Sequence, residues 1–479
     1  MHDQGLDIYL IAIGGTGMAP LACLLKEAGH RVRGSDGPLY PPMSTILADA
    51  GIEPLTGFDP AHLEPAPDLV IVGNAVPRTN PEVEAVEAMG LPKVSMPQAL
   101  ARFLLENRRP LVVAGTHGKT TTTSLAAWVW EDCGRAPGFL VGGIPKNLVT
   151  NFRLGDGERF IIEGDEYNAA YFDRGPKFLH YRAETLILTS VEFDHADLYA
   201  NEKAASAAYE ELLQTLPANG LLVACGDSPG VRRIAHLARC QTVFYGLGED
   251  NHLRPLAPFS QNADGLRLQL EDPDAGKIEL ALPMQGEHSA TNALAVWAAA
   301  RADSLAPDAI THAMSRFEGV KRRAELVGTA GEITIIDDFA HHPTAVRVTL
   351  AGLKARFPGR KLIAIFEPRS LTSARNLHFA EYCQAFRQAD EVMLAPVFHA
   401  ARFADDERLD TAGLIGDLAS HGIPARLFSS VENMARNIAI GLEPGDVVVT
   451  MSSGSFGGLP QRLLEILRNR SERSGSATS

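Results

Sequence analysis

The sequence predicts an α/β protein of three domains, each built around a mainly parallel sheet. Its 479 residues are about three times the ~150 residues of an average domain. Short apolar runs are followed by a glycine turn and then by a helical pattern, an order typical of strand–helix–strand units. The unit occurs near the N-terminus, in the middle and towards the C-terminus. We expect domains at residues 1–108, 109–318 and 319–467, with a disordered polar tail at 468–479.

The first domain contains a glycine turn, Gly14-Gly15-Thr16-Gly17-Met18. Its predicted elements are strands at 7–13, 30–35, 68–73 and 93–95 and a helix at 19–29. These form a Rossmann-like unit in which the second strand ends at Asp36. Alone, the turn would suggest a dinucleotide enzyme, although Pro20 stands where that fingerprint has its third small residue. The alternative is that the glycines only make a tight turn.

The second domain contains the motif on which the functional prediction depends. A predicted strand at 111–114, behind a proline, leads into Gly-Thr-His-Gly-Lys-Thr at 115–120, and a helix is predicted at 121–133. Small residues let backbone N–H groups approach an anion, the helix dipole favours negative charge, and a lysine reaches the outer phosphates. Lys119 is that lysine. The Thr120 hydroxyl lies where a nucleotide-bound Mg²⁺ needs an oxygen ligand. This is a P-loop, although Val113 replaces the first glycine of the general pattern.

Acidic residues follow two other predicted strands of this domain. A strand at 159–162 leads to Glu163, Asp165 and Glu166, and a strand at 185–189 leads to Glu192, Asp194 and His195. Ligands bind at the carboxyl ends of strands in open α/β sheets, and oxygen ligands suit Mg²⁺. From the residues alone, His195 could be a metal ligand or have a structural role.

The third domain contains two clusters of polar residues. A glycine turn with three cations, Gly-Val-Lys-Arg-Arg at 319–323, is either part of a site or a solvated linker. A strand at 333–336 ends in Asp337, Asp338, His341 and His342, and such residues at a strand end indicate a site. Further strands are predicted at 361–366, 391–395 and 446–451, with a last glycine turn at 452–458.

Composition excludes several classes of partner. The net charge of −14 argues against a nucleic-acid or anionic-membrane surface, which would need a basic patch. The five cysteines form no Cys-x-x-Cys pair, so neither a disulfide framework nor a zinc site is predicted. No stretch approaches the ~18 apolar residues of a membrane span, and residues 1–9 lack a basic leader. We expect a cytoplasmic protein whose partners are small molecules.

The threonine-rich P-loop, the N-terminal glycine turn and the motif at 337–344 together resemble the Mur ligase superfamily. The resemblance implies ATP and Mg²⁺ as cofactors and UDP-N-acetylmuramate as a substrate. It implies that the UDP-sugar is bound by Gly14, Gly15, Thr16, Gly17, Met18, Asp36 and Asn74. It implies that ATP is bound by Gly115, Thr116, His117, Gly118, Lys119, Thr120, Thr121, His288, Asn292, Arg323, Asp338 and His341. For His288 and Asn292, ordinary capping of a buried helix is the alternative.

The resemblance also implies the catalytic groups. They are Lys119, Glu163, His195 and Arg323, of which Thr120, Glu163 and His195 would bind metal. Arg323 is placed against the ATP γ-phosphate and is favoured over Arg322. A carbamylated lysine bridges two metals in some members, but Glu210 occupies the corresponding position here, so none is predicted.

Two stretches distinguish branches of the superfamily. Residues 163–181 and Glu-Pro-Arg-Ser at 367–370 are similar to the murein peptide ligases, although Asn168 and Ala169 depart from the usual pattern. The implied reaction joins L-Ala-γ-D-Glu-meso-diaminopimelate to UDP-N-acetylmuramate through an acyl phosphate, in peptidoglycan recycling, with Arg369 near the peptide. The alternatives are the L-alanine-adding ligase of peptidoglycan biosynthesis and a non-catalytic UDP-sugar sensor.

Overall fold

The computed structural model describes residues 5–194, 198–199 and 201–476. The chain forms two compact units. The first unit comprises residues 1–192, 203–254 and 294–313, and the second comprises 193–202, 255–293 and 314–479. Among the described residues, no helix is long and apolar enough to cross a lipid bilayer.

The first unit contains a five-stranded parallel sheet in the order β3-β2-β1-β4-β5. Its strands are β1 Asp7–Ile11, β2 Arg31–Asp36, β3 Leu55–Thr56, β4 Leu69–Val72 and β5 Lys93–Ser95. Its helices are α1 Met18–Glu27, α2 Met43–Asp49, α3 Pro81–Met89 and α4 Met96–Leu100. Apolar residues of β1 and β4 pack with Val83 and Val86 of α3. From β1 the chain continues to β2 and β3 on one side of the sheet and then to β4 and β5 on the other side. The carboxyl ends of β1 and β4 therefore form a topological switch point.

A second sheet of the first unit has seven strands in the order β14-β13-β12-β6-β9-β7-β8. Its strands are β6 Arg109–Ala114, β7 Gly138–Leu140, β8 Phe152–Arg153, β9 Arg159–Glu163, β12 Thr185–Leu188, β13 Leu221–Cys225 and β14 Gln241–Tyr245. Only the β7–β8 pair is antiparallel among these described strands. A hairpin of β10 Asn168–Ala170 and β11 Asp173–Pro176 follows β9. The accompanying helices are α5 Lys119–Asp132, α6 Glu202–Gln214 and α7 Pro229–Ile234.

The second unit contains an antiparallel sheet and a larger mixed sheet. The antiparallel sheet has β15 Ser260–Asn262, β16 Gly265–Asp272 and β17 Gly276–Leu282. The larger sheet has the order β18-β19-β23-β20-β21-β22. Its strands are β18 Glu325–Ala330, β19 Ile333–Asp338, β20 Leu362–Phe366, β21 Glu391–Leu394, β22 Ala425–Leu427 and β23 Val447–Met451. Only β18 is antiparallel to its neighbour among these described strands.

Helices cover both faces of the larger sheet. They are α10 Pro343–Arg356, α11 Phe379–Phe386, α12 Thr411–Ser420, α13 Val431–Gly441 and α14 Leu459–Ser476. One core contains apolar residues of α10, α11 and α12, and the other contains residues of α13 and α14. This doubly wound arrangement explains why β19, β20 and β23 are apolar on both faces. Two further helices, α8 Glu287–Ala302 and α9 Pro307–Ser315, contain residues of both units.

The structure corrects one prediction about the C-terminus. Residues 468–476, which were expected to be disordered, form the end of α14. The helix is held by Leu463 and Leu467, which are buried, and by Arg470. The Arg470 guanidinium donates hydrogen bonds to the carbonyl oxygens of Ala439 and Leu442, at 2.6 and 3.1 Å. These carbonyl groups lie at the C-terminal end of α13, so the side chain of Arg470 attaches the final turns of α14 to α13.

Candidate active site

The N-terminal glycine turn lies at the switch point of the five-stranded sheet. It connects β1 to α1, and the Gly14 N–H donates to Asp36 Oδ2 at 2.7 Å. A Cβ on Gly14 would meet the end of the Leu39 side chain, which packs closely over this turn. Asn74 follows β4 and is exposed. The predicted UDP-sugar residues therefore lie at the edge where open α/β sheets bind ligands.

The other residues of this turn differ in exposure. Gly15 and Thr16 are exposed, whereas Met18 is buried in the first turn of α1. Gly17 is the N-cap of α1 and provides no side-chain cap. A helix that begins without a side-chain cap can offer its first N–H groups to an anion.

The P-loop follows β6 and is shaped by two glycines. Gly115 has a φ of +131°, and a Cβ there would overlap Thr189 Oγ1 and come within 2.8 Å of the Ser190 backbone. Gly118 has a φ of +81° and is the N-cap of α5. The His117 N–H donates to Ser190 Oγ at 2.9 Å. The end of β12 thus fixes the conformation of the loop, a contact that sequence reasoning missed because Ser190 lies far along the chain.

The side chain of Lys119 folds over the P-loop. Its ammonium donates to the carbonyl oxygens of Gly115 and Thr116, at 2.6 and 3.3 Å, and lies 2.9 Å from the Glu166 carboxylate. Burial disfavours the charged ammonium, but the charge and hydrogen bond of Glu166, with smaller contributions from Glu163 and Asp165, outweigh burial and raise the pKa of Lys119. Lys119 is therefore positively charged at neutral pH, as a phosphate-binding lysine must be.

Two oxygen atoms suited to Mg²⁺ lie beside Lys119. The Thr120 hydroxyl donates to Glu163 Oε1 at 2.8 Å, and Glu163 Oε2 accepts the Gly142 N–H at 2.7 Å. Because β9 pairs with β6, Glu163 lies opposite Val113. A hydroxyl and a carboxylate side by side fit a hard cation that prefers oxygen ligands. His195, the third predicted ligand, lies outside the described residues.

Two further predicted ATP residues lie in the same part of the first unit. The His117 ring nitrogen Nε2 is 3.3 Å from the Glu192 carboxylate. Thr121 is buried in the first turn of α5. The first unit therefore brings together residues 115–121 and Glu163 at the carboxyl edge of the seven-stranded sheet.

In the second unit, Asp338 organises the loop that carries Arg323. Its carboxylate accepts the N–H groups of Ala324 and Ala340, at 2.6 and 2.7 Å, and the Thr349 hydroxyl at 3.4 Å. Burial raises the pKa of Asp338, although Arg323 and these hydrogen bonds act in the opposite direction. Asp338, at the end of β19, thus holds in place the loop that carries Arg323, the arginine predicted to contact the γ-phosphate.

The neighbouring arginine has different contacts. The Arg322 guanidinium lies 3.3 Å from Asp337 Oδ2 and donates to the carbonyl oxygens of Ser452, at 2.8 Å, and Gly454. Both guanidinium groups also lie against the Phe339 ring, 5.4 Å from its centre for Arg322 and 4.8 Å for Arg323. Arg322 ties the start of the domain to its last glycine turn.

The predicted adenine and ribose residues also lie in the second unit. His288 is partly buried near the start of α8, and its Nδ1 atom is buried without a hydrogen-bond partner among the described residues. Burial lowers its pKa to about 4. Asn292 lies one turn later and is buried. The Nδ1 atom of His341 is 3.1 Å from the Phe339 carbonyl oxygen.

Arg369 lies after β20, close to the last glycine turn. Its guanidinium lies 3.8 Å from the centre of the Phe398 ring, and its Nη1 is 3.6 Å from Glu367 Oε2. Glu367 is buried and accepts the Ser452 hydroxyl at 2.5 Å. A planar guanidinium stacked on an aromatic ring keeps its N–H edges available for carboxylates. A guanidinium held in this way can bind a carboxylate group.

Comparison with known proteins identifies the family. Three family models match: "Mur ligase family, catalytic domain" at residues 7–108, "Mur ligase middle domain" at 113–300 and "Mur ligase, glutamate ligase domain" at 322–454. The UDP-N-acetylmuramate–L-alanyl-γ-D-glutamyl-meso-2,6-diaminoheptandioate ligase of Escherichia coli is 38% identical over 98% of this chain and 99% of its own. The UDP-N-acetylmuramate–L-alanine ligase of Leptothrix cholodnii is 34% identical over 97% and 98%.

Solved structures agree with this comparison. A murein peptide ligase from Psychrobacter arcticus superposes with a TM-score of 0.71 and 33% identity, covering 97% of this chain and 99% of that one. A UDP-N-acetylmuramate–alanine ligase from Thermotoga maritima superposes with a TM-score of 0.79 and 24% identity, covering 97% and 100%, and shows the same fold. Because three domain models of the family match and relatives are similar over nearly the full length, the chain belongs to the Mur ligase family.

Proposed function

We propose that this chain is an ATP-dependent ligase that joins L-Ala-γ-D-Glu-meso-diaminopimelate to UDP-N-acetylmuramate, forming ADP and phosphate. The observation that carries the proposal is the 38% identity, over nearly the full length, to a relative named for that reaction. Six relatives named as L-alanine ligases are 31–34% identical. A cytoplasmic role in peptidoglycan recycling follows from this substrate pair.

The reaction must activate a carboxylate, which is a poor electrophile. The lactyl carboxylate of UDP-N-acetylmuramate attacks the γ-phosphorus of ATP, and ADP leaves. The free amine of the peptide then attacks the carbon of the acyl phosphate, and the tetrahedral intermediate collapses to amide and phosphate. Both steps develop negative charge on oxygen, so positively charged side chains and backbone N–H groups stabilise the transition states.

Residues of the first unit would hold the nucleotide phosphates and the UDP-sugar. The N–H groups of residues 115–121 cradle the phosphates, and the Lys119 ammonium neutralises the outer ones. Thr120 and Glu163, with His195, would hold Mg²⁺, which neutralises phosphate charge when bound. The turn at 14–18, with Asp36 and Asn74, would bind the uridine diphosphate.

Residues of the second unit would complete catalysis and recognition. Arg323, oriented by Asp338, contacts the γ-phosphate during its transfer. His288 and Asn292 contact the adenine, and Asp338 and His341 lie near the ribose and phosphates. Arg369 binds a carboxylate of the peptide through its guanidinium N–H groups.

One experiment separates this proposal from its alternatives. The purified chain is incubated with ATP, Mg²⁺ and UDP-N-acetylmuramate, and phosphate release is measured after adding either the tripeptide or L-alanine. Phosphate release that depends on the tripeptide supports the proposal. Release that depends on L-alanine supports the alanine ligase. Tight binding of the UDP-sugar without turnover in either mixture supports a non-catalytic sensor.

A further inference from the structure

The P-loop lysine already has a full set of partners within the protein. An ammonium group has three hydrogen-bond donors and no acceptor. Lys119 directs them at the carbonyl oxygens of Gly115 and Thr116 and at the carboxylate of Glu166. A phosphate oxygen can therefore bind Lys119 only by replacing one of these partners. The two carbonyls belong to the loop itself, so Glu166 is the partner that can leave without unfolding it.

Glu166 lies between the end of β9 and the start of β10, and it is 4% exposed. Its carboxylate is too buried to be screened by solvent, so a nucleotide phosphate that came beside it would be strongly repelled. Replacing Glu166 by a phosphate on Lys119 exchanges one anion for another. The positive charge of the lysine is then neutralised before and after the exchange.

We propose that Glu166 is a positioning residue that competes with the nucleotide phosphates for Lys119 and must be displaced when ATP binds. The inference rests on the proposed ATP site and assigns a role to a residue outside the predicted ligands. Only the fraction of molecules in which Glu166 has released Lys119 binds nucleotide, and the apparent affinity falls by that fraction. The same competition returns Lys119 to Glu166 when ADP leaves.

Asp165 provides a matched control. It precedes Glu166 in the chain, and its carboxylate is 2.5 Å from the ammonium of Lys177. It is therefore also one half of a carboxylate–lysine pair, but its lysine is not that of the P-loop. Removing the charge of Asp165 tests for a general electrostatic effect, whereas removing that of Glu166 tests for competition.

The test measures dissociation constants by titration calorimetry for three probes: ADP, inorganic tripolyphosphate and adenosine. We expect Glu166→Gln to bind ADP and tripolyphosphate roughly five- to tenfold more tightly than the unchanged chain, by the same factor for both. Adenosine affinity should not change, and Asp165→Asn should tighten ADP and tripolyphosphate binding much less than Glu166→Gln, because Asp165 contributes only weakly to the electrostatics of Lys119. A purely structural role of Glu166 would not improve the binding of a phosphate-only probe.

Glu166→Asp is a second variant in case the glutamine does not fold. It keeps the charge but withdraws the carboxylate from Lys119, and it should tighten phosphate binding by a smaller factor. Unchanged or weaker ADP binding in every folded Glu166 variant overturns the inference, as does equal tightening in Asp165→Asn. If the unchanged chain binds no ADP, the proposed ATP site and this inference are both wrong; if it binds ADP normally, only the inference is at risk.

Discussion

Arg322 and Arg323 are neighbours in the sequence, yet their side chains have different contacts. Arg322 pairs with Asp337 and bonds the glycine turn after β23, so its loss leaves buried groups unpaired. We expect Arg322→Ala to lower the free energy of unfolding by about 2 kcal/mol. Arg323→Ala should lower kcat by on the order of 10²–10³-fold, because a transition-state charge loses its partner.

Thermal denaturation and phosphate release, measured on both variants, check this division of roles. Each variant is the control for the other, since the same side chain is removed at adjacent positions. A normal kcat in Arg323→Ala, together with a large loss of kcat in a stable Arg322→Ala, would reverse the assignment.

We expect His288 to make the stability of the folded chain depend on pH. Its pKa is about 4 in the folded chain, against ~6.5 in an unfolded one. Between these values the unfolded chain binds the extra proton, so stability is full above pH ~6.5 and falls as the pH approaches 4. The total loss should be on the order of 3 kcal/mol. Urea unfolding from pH 7 to 4 should show a shallower loss of stability in His288→Gln, and an unchanged pH profile would count against a lowered pKa of His288.

At the scale of elements, the strand–turn–helix around the P-loop depends on one glycine more than on its neighbours. A methyl group on Gly115 would meet Thr189 and the Ser190 backbone, and the φ of +131° is itself unfavourable for alanine. We expect Gly115→Ala to cost at least about 3 kcal/mol of stability and to prevent nucleotide binding. Denaturant unfolding and ADP titration measure both effects.

Gly134 provides the comparison at the other end of α5. Its φ is +71°, and an added Cβ would meet no atom within 4 Å. Gly134→Ala should therefore lower the free energy of unfolding only through its unfavourable backbone conformation, by about 1 kcal/mol, and ADP binding should be normal. If the two alanine variants were equally stable, the contact between the P-loop and β12 would not be important.

The end of α14 makes a different prediction. Ending the chain after Leu467 removes the hydrogen bonds of Arg470 to the last carbonyls of α13. We expect a loss of roughly 1–3 kcal/mol, because those acceptors lose a charged donor. A chain ended after Glu472 keeps Arg470 and should unfold at nearly the same temperature as the full chain. Equal melting temperatures for both truncations would show that the final turns contribute nothing.

These elements also show what sequence can predict. The P-loop is local, so the strand, the turn and the lysine could be identified from adjacent residues. The polar residues after Leu467 show no apolar period, and the anchor of Arg470 is on α13, about thirty positions earlier. In the same way, Ser190 and Glu166 act on the P-loop from distant positions, and only the order of strands in the sheet brings them there. The spacing of residues along the sequence cannot reveal contacts that form only when the strands pair.

At the scale of the whole molecule, a chain with a net charge of −14 is proposed to bind two polyanionic ligands. The negative electrostatic potential of the whole chain repels both ligands. Binding must therefore come from local groups, namely backbone N–H groups at glycine turns and single cations such as Lys119. The turn at 14–18 and the P-loop belong to two different sheets. Removing one local site should therefore leave the other intact.

Ligand-linked stability tests this independence. A ligand that binds only the folded chain raises its melting temperature, and at a hundredfold excess over Kd the gain is about 2.7 kcal/mol. ADP with Mg²⁺ and UDP-N-acetylmuramate should each give such a shift. Lys119→Ala should abolish the ADP shift and keep the UDP-sugar shift, because its side chain contacts the P-loop and not the turn at 14–18. Loss of both shifts in a folded Lys119→Ala would mean that the two ligands share one site, whereas an unchanged ADP shift would place the nucleotide away from the P-loop.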